Sequence, residues 1–195
     1  NATKDYVSRW KYGHPCPEDF RNSTTHYTHT DLNWFFDEWM ETTKNIDYKI
    51  LSVRKDTIPN GYRIKLKRKG RMQMPIDLRV VNNKDSIFDF YIPNKWFVKH
   101  PDNLYHNFSV LPKWYGWDKL QPTYTAHVTI PHGIKKVVID PTERLADINM
   151  LDNRTKGNVE VRFDSRIYPP VSTKKYRLYL RPDVWWNAYD GFKVG

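Results

Sequence analysis

The side chains able to do chemistry are few and scattered. His26 and His29 stand three residues apart, a spacing that brings two imidazoles onto one helix face, as a metal-binding pair requires. The Asn22-Ser23-Thr24-Thr25 run beside them is poor helix-forming sequence, and no carboxylate follows at ligand spacing, so the pair reads as incidental. Cys16 is the single cysteine. Pro17 suits the first position of a helix, which places the Cys16 thiol at the N-cap, where free backbone N–H groups favour thiolate. No base stands beside it in sequence, so Cys16 reads as a small cap in place of Ser or Thr. Asp140, Glu143, Asp147, Asn149, Asp152 and Asn153 match a calcium loop in composition, but not in the order and spacing of an EF-hand. Turns begun by Asp140-Pro141 and closed by Asp152-Asn153 account for most of that stretch. Whether it binds calcium stays open at this point.

Binding candidates are clearer than catalytic ones. There is no glycine-rich phosphate loop, no G-x-S-x-G elbow and no H-E-x-x-H pair, so no catalytic residue and no metal ligand is assigned. The densest charge lies at Arg63, Lys65 and Lys67, continuing into Arg68, Lys69 and Arg71. Nucleic acid would need stacking aromatics on the same face, but Tyr62 alternates to the opposite one, so nucleic acid is not expected as a partner. A solvated strand face, its lysines guarding an edge against pairing, is the reading preferred for that charge. Trp114, Tyr115 and Trp117, with Trp185-Trp186 further on, suit a carbohydrate or peptide platform, or simply a core filled with aromatics. Sequons include those that begin at Asn22, Asn107 and Asn153.

The elements that position these residues fall into two zones. Residues 1–50 carry 6 Lys/Arg against 8 Asp/Glu, and the remainder carries 26 against 14. The net charge of +10 is therefore a property of the second zone alone. In the first, Leu32, Phe35, Phe36, Trp39 and Met40 form one helical stripe that Thr30 or Asp31 can cap. Tyr6, Val7 and Trp10 predict an earlier helix ending near Gly13, and Pro17-Glu18-Asp19 opens another between them. In the second zone the period changes to two. Tyr62/Ile64/Leu66, Ile76/Leu78/Val80, Phe88/Phe90/Ile92, Tyr124/Ala126/Val128/Ile130, Val137-Ile139, Val159/Val161/Phe163 and Tyr176/Leu178/Leu180 predict strands. Short strands parted by Pro, Gly and Asn turns predict an α+β chain with an antiparallel, immunoglobulin-like sandwich after the helices. No apolar run approaches the ~20 residues of a membrane-spanning helix.

Several stretches, taken in order, resemble one family. His14-Pro15-Cys16-Pro17-Glu18-Asp19-Phe20, Leu32-Asn33-Trp34-Phe35-Phe36-Asp37-Glu38-Trp39 and Thr42-Thr43-Lys44-Asn45-Ile46-Asp47-Tyr48 resemble the end of the catalytic domain of alanyl-aminopeptidase-like, gluzincin zinc metallopeptidases. Met72-Gln73-Met74-Pro75-Ile76-Asp77-Leu78 resembles the start of the β-domain that follows it. Lys119-Leu120-Gln121-Pro122-Thr123-Tyr124-Thr125 and Val138-Ile139-Asp140-Pro141 through Asn149 are similar to a bacterial branch. The resemblance covers about residues 8 to 155, and Arg181-Pro182-Asp183 onward more loosely. At Cys16 the family usually carries a small hydroxyl residue.

The resemblance implies a helical remnant over 1–50, a β-sandwich over 51–165, and over 166–195 an additional strand and tail, the start of a further module. The family's zinc, its H-E-x-x-H helix and its transition-state tyrosine would all lie upstream, so no cofactor is expected in this chain and no hydrolysis by it alone. The expected role is a non-catalytic C-terminal scaffold of an exported bacterial protein, periplasmic or at the cell surface. Its partner would be the upstream catalytic domain of the same polypeptide, in a monomer or weak dimer. The alternatives are an autonomous module for glycan or peptide, using Trp114, Tyr115, Trp117, Arg63, Lys65 and Lys67, and, further behind, a nucleic-acid binder through the basic face.

Overall fold

The computed structural model describes residues 1–95, 108–116, 118–163, 171–180, 184–189 and 191–194. Its contacts divide the chain into two compact units, Asn1–Asn45 and Ile46–Gly195. The first holds three helices, α1 (Ala2–Trp10), α2 (Pro17–Thr28) and α3 (Asn33–Met40). The Asn1 side chain accepts the Thr3 N–H at 3.1 Å and caps α1, whose last turn closes when the Gly13 N–H donates to the Trp10 carbonyl at 2.9 Å. Cys16 stands at the N-cap of α2, as its place before Pro17 predicts. The Asp19 carboxylate turns back to accept both the Cys16 N–H, at 2.8 Å, and the Cys16 thiol, at 3.1 Å. These two hydrogen bonds, the thiol's first, hold the Asp19 carboxyl below its ordinary value.

Two details differ from the sequence reading. Helix α2 runs on through the Ser/Thr run, where the hydroxyls of Thr24 and Thr28 donate back to the carbonyls of Phe20 and Thr24, each at 2.8 Å, instead of competing for the backbone N–H groups. It stops at His29, whose left-handed backbone (φ 50°) ends the helix. At α3, Leu32 occupies the N-cap, and the Asp31 side chain accepts the Asn33 N–H at 3.0 Å. Edge-to-face rings run from Tyr6 through Phe20 to Phe36. Of this unit's side chains only Phe36 is buried, at 3% exposure, while Val7, Tyr12, Tyr27, Phe35, Trp39 and Met40 are exposed.

The second unit is built of strands: β1 (Tyr48–Lys55), β2 (Gly61–Arg68), β3 (Ile76–Asn82), β4 (Ile87–Ile92), β5 (Phe108–Val110), β6 (Thr123–Thr129), β7 (Ile134–Ile139), β8 (Val159–Phe163), β9 (Tyr176–Leu180), β10 (Val184–Asn187) and β11 (Gly191–Val194). One sheet has the order β1-β2-β6 and another β5-β4-β3-β7, with two-stranded pairs β8-β9 and β10-β11. Together with the helices this makes the chain α+β. Alternation buries Ile64 and Leu66 of β2, Ile76, Leu78 and Val80 of β3, and Ala126 and Val128 of β6. Tyr48 is fully buried, and its hydroxyl donates to the Met74 carbonyl while accepting the Met74 N–H.

Pairing is antiparallel in β1-β2-β6 and β4-β3-β7, but β4-β5 and β8-β9 pair in parallel, against the wholly antiparallel expectation. The chain between β4 and β5, and between β8 and β9, is long enough for the crossover a parallel pair needs, whereas the short β1-β2 and β3-β4 turns permit only antiparallel return. The Asn82–Asp85 turn shows this: Asn82 Oδ1 accepts the N–H groups of Lys84 and Ser86, with Asp85 left-handed at φ 62°. Among the described residues no helix is long and apolar enough to cross a membrane.

Candidate functional site

Strand β2 places the predicted basic residues. Its odd-numbered side chains Arg63, Lys65 and Lys67 all point outward, and its even-numbered ones are buried. The same parity turns Arg68 inward, out of the charge cluster it continues in sequence. Its guanidinium donates to the carbonyls of Asp118, at 2.9 Å, and Leu120, at 3.0 Å, and lies 5.9 Å over the Trp114 ring. Because β2 is the central strand of its sheet, its lysines guard no edge. The edge-guarding reading of this charge is therefore wrong, and β1 and β6 extend the face on either side.

Register defines what stands beside each cation. Arg63 lies between Arg54 and His127, Lys65 between Ser52 and Thr125, and Lys67 between Lys49 and Thr123. Residues directly opposite in adjacent strands share a face, so this one carries five strong cations interleaved with hydroxyls. Carboxylates reach only its margins. Asp56 lies 3.6 Å from Arg63 and 3.1 Å from His127, and Asp152 lies 3.9 Å from Lys49. The Thr57 backbone N–H and then the His127 ring hold Asp56 below its ordinary value. Among the described residues Arg54, Lys65 and Lys67 have no carboxylate within ion-pair distance. An open hollow of about 300 Å³ is lined by Ser52, Arg54, Arg63, Lys65 and Thr125. A second of about 300 Å³ lies beside Lys67, Lys69, Arg71 and Lys119, with Asp118 on its wall 3.4 Å from Arg71.

The aromatic candidates come apart. Trp114 is 4% exposed, stacked on Tyr124 at 5.3 Å and edge-on to Tyr48 at 5.8 Å, with its indole N–H donating to the Gln121 carbonyl at 3.0 Å. It is core, and its face is not open to a ligand. Burial likewise pushes the Tyr124 hydroxyl up to about 12. Tyr115 is exposed, as is Trp186, while Trp117 lies outside the described residues.

The acidic stretch is spent on structure. Asp140 accepts the Leu145 N–H at 2.6 Å and the Thr142 hydroxyl at 3.2 Å. Asp147 accepts the N–H groups of Tyr48 and Asn149 and the Asn153 amide. Asn153 is 3% exposed, which removes its sequon from modification in the folded chain. Lys69 bridges Asp47, at 3.2 Å, and Asp152, at 3.5 Å. Burial raises the Asp47 carboxyl, with Asp147 and Asp152 adding to it against the pull of Lys69. The hydrogen bond to Asp47 raises Lys69 in turn. His26 and His29 stand 6.0 Å apart at their ring centroids, and no group of three or more His, Cys, Asp or Glu suited to a metal is gathered among the described residues.

Sequence reading missed strand β1, because the bulge between Ile50 and Ser52 breaks the alternation that reveals a strand. With it went Lys49, Ser52 and Arg54, which hold two of the face's five strong cations. The only signal was composition, a β-branched and basic run just before the Asn60-Gly61 turn. No family model matches this chain, and no curated protein does either.

Proposed function

We propose that this chain is a non-catalytic scaffold region of a zinc metallopeptidase-like protein, exported from a bacterium. In this reading the helical unit packs against a peptidase catalytic domain. The strand-rich unit, taken as an immunoglobulin-like sandwich, helps wall the substrate cleft. The zinc and its ligands would belong to that catalytic domain, and no residue of this chain is assigned to them. The reading begins from the ordered resemblance of His14–Phe20, Leu32–Trp39 and Thr42–Tyr48 to the end of such a domain.

One structural observation carries it. The 45-residue helical unit buries a single side chain, Phe36, and leaves Val7, Phe35, Trp39 and Met40 in water. Units of this size seldom hold their fold on so small a core, and exposed apolar side chains of this number mark a surface made to be covered. A catalytic domain ending in these same helices supplies the cover.

The test is amide exchange over residues 2–40, in this chain and in a longer polypeptide carrying an H-E-x-x-H domain upstream. At least a tenfold slowing in the longer protein is expected. Equal exchange in the two would overturn the reading.

A further inference from the structure

The face of β1-β2-β6 holds like charges where a sheet ordinarily avoids them. Arg54 lies directly opposite Arg63, and Lys49 directly opposite Lys67. Such cross-strand pairs destabilise a sheet unless something anionic lies between or above them. Asp56 and Asp152 reach Arg63 and Lys49 from the margins, which leaves Arg54, Lys65 and Lys67 facing solvent. The charge is also ordered. Alternate residues of a strand stand roughly 6.6–6.8 Å apart, so Arg63, Lys65 and Lys67 form a straight row about 13 Å long. Ser52, Thr123 and Thr125 flank the row with hydroxyls that both donate and accept.

We infer that this face is a binding site for an extended acidic peptide segment, in which alternate side chains are Asp or Glu. An extended peptide repeats its same-side carboxylates at the spacing of the cations, since both follow from strand geometry. The hollow between Arg54, Arg63 and Lys65 takes one carboxylate among three cations, and the hydroxyls of Ser52 and Thr125 complete it. Among the described residues the face offers no Phe, Tyr or Trp ring, the platforms on which single-stranded nucleic acid stacks its bases. Every residue of the site belongs to the strand-rich unit, and the proposal is tested apart from the scaffold reading above.

The test uses the 195-residue chain and a fluorescein-labelled (Glu-Ser)6 peptide at about 50 mM salt, read by anisotropy. Saturable binding is expected, weakening at least tenfold in the triple variant Arg63→Thr/Lys65→Thr/Lys67→Thr. Lys4→Ser/Lys11→Ser/Lys84→Ser, which removes the same charge elsewhere, should bind like the parent. Threonine suits an exposed strand position, and circular dichroism checks that the triple variant folds. Should it not fold, Arg54→Gln alone should weaken binding at least threefold. A (Glu2Ser2)3 peptide of equal charge should bind several-fold more weakly, because its same-side carboxylates stand four residues apart and at most two of them can meet the row of three. Unchanged binding in both face variants, or equal loss in the remote triple, would overturn the site. Tighter binding of a single-stranded oligonucleotide of equal charge, or of phosphatidylserine vesicles, would overturn its assignment to peptide.

Discussion

Tyr48 donates its backbone N–H to the Asp147 carboxylate at 3.0 Å, across 99 positions of sequence. The same oxygen accepts the Asn153 amide at 2.9 Å, and the other accepts the Asn149 N–H at 2.8 Å. Next to this contact Ile46 bridges Asp147 and accepts the Ile148 N–H, so the start of β1 is tied to the loop after β7. Asp147 is 7% exposed, and two of its three donors, on Tyr48 and Asn153, belong to buried residues. Asp147→Ala should therefore cost about 2–4 kcal/mol, since buried donors left unpaired cost about 1–3 kcal/mol each and some recover water. Asp147→Asn keeps the volume and one acceptor, and should cost less. Urea unfolding of the two variants checks the order; equal stability of Asp147→Ala and the parent would refute the anchor.

Asp47 gives a pH dependence of unusual sign. Burial raises its carboxyl in the folded chain above the ordinary 3.8. The folded state therefore holds the proton more tightly than the unfolded one. The contribution of Asp47 to stability is fully present below about pH 3.8 and is lost as pH rises through the raised folded value. Asp47→Asn fixes the neutral form. It should be more stable than the parent at pH 7, with the gap closing as pH falls below 4. An Asp47→Asn variant less stable than the parent at pH 7 would show that the Lys69 ion pair outweighs burial.

Legibility in the sequence followed parity and failed where parity broke. The outward row Arg63-Lys65-Lys67 was readable because β2 keeps strict alternation from Tyr62 to Arg68. The inward turn of Arg68 follows from the same rule, but hides in the basic run Lys67-Arg68-Lys69, with Arg71 beyond Gly70, once charge is counted without register. The partners of that row were not readable. Arg54 and Ser52 come into line only through the bulge after Ile50, and His127 only through pairing across 64 positions. Trp114 shows the opposite limit: its type suits a platform as well as a core, and only its stacking on Tyr124 decides for the core. Helix caps were legible at Cys16, where Pro17 fixes the register, and less so at α3, where a leucine takes the cap.

Trp114 should act on stability alone. Its ring fills the space between Tyr48, Tyr124 and the Arg68 guanidinium. Trp114→Ala should cost about 3–5 kcal/mol, the range for removing a large buried aromatic. Acidic-peptide binding at the outward face should survive in whatever fraction remains folded, because that face lies on the other side of β2. Loss of binding by folded Trp114→Ala, measured below its melting point, would return the ring to the candidate site.

Cys16 offers the sharpest contrast between a chemical and a structural role. Its N–H and thiol both donate to Asp19, which leaves the side chain the work of a cap hydroxyl. Serine is a preferred N-cap residue and can make the same reciprocal contact. Cys16→Ser should therefore change the unfolding free energy by no more than about 0.5 kcal/mol, whereas Cys16→Ala should lose about 0.5–2 kcal/mol at most, the range for removing a cap. Asp19 adds a pH signature. Its lowered carboxyl contributes stability above about pH 3.8, lost as pH falls through the depressed folded value. Asp19→Asn should flatten that acid limb for helix α2, followed by circular dichroism. The competing role, a reactive thiol, requires alkylation of Cys16 at neutral pH to outrun a free thiol; with its thiol donating to the Asp19 carboxylate, Cys16 should label no faster than one.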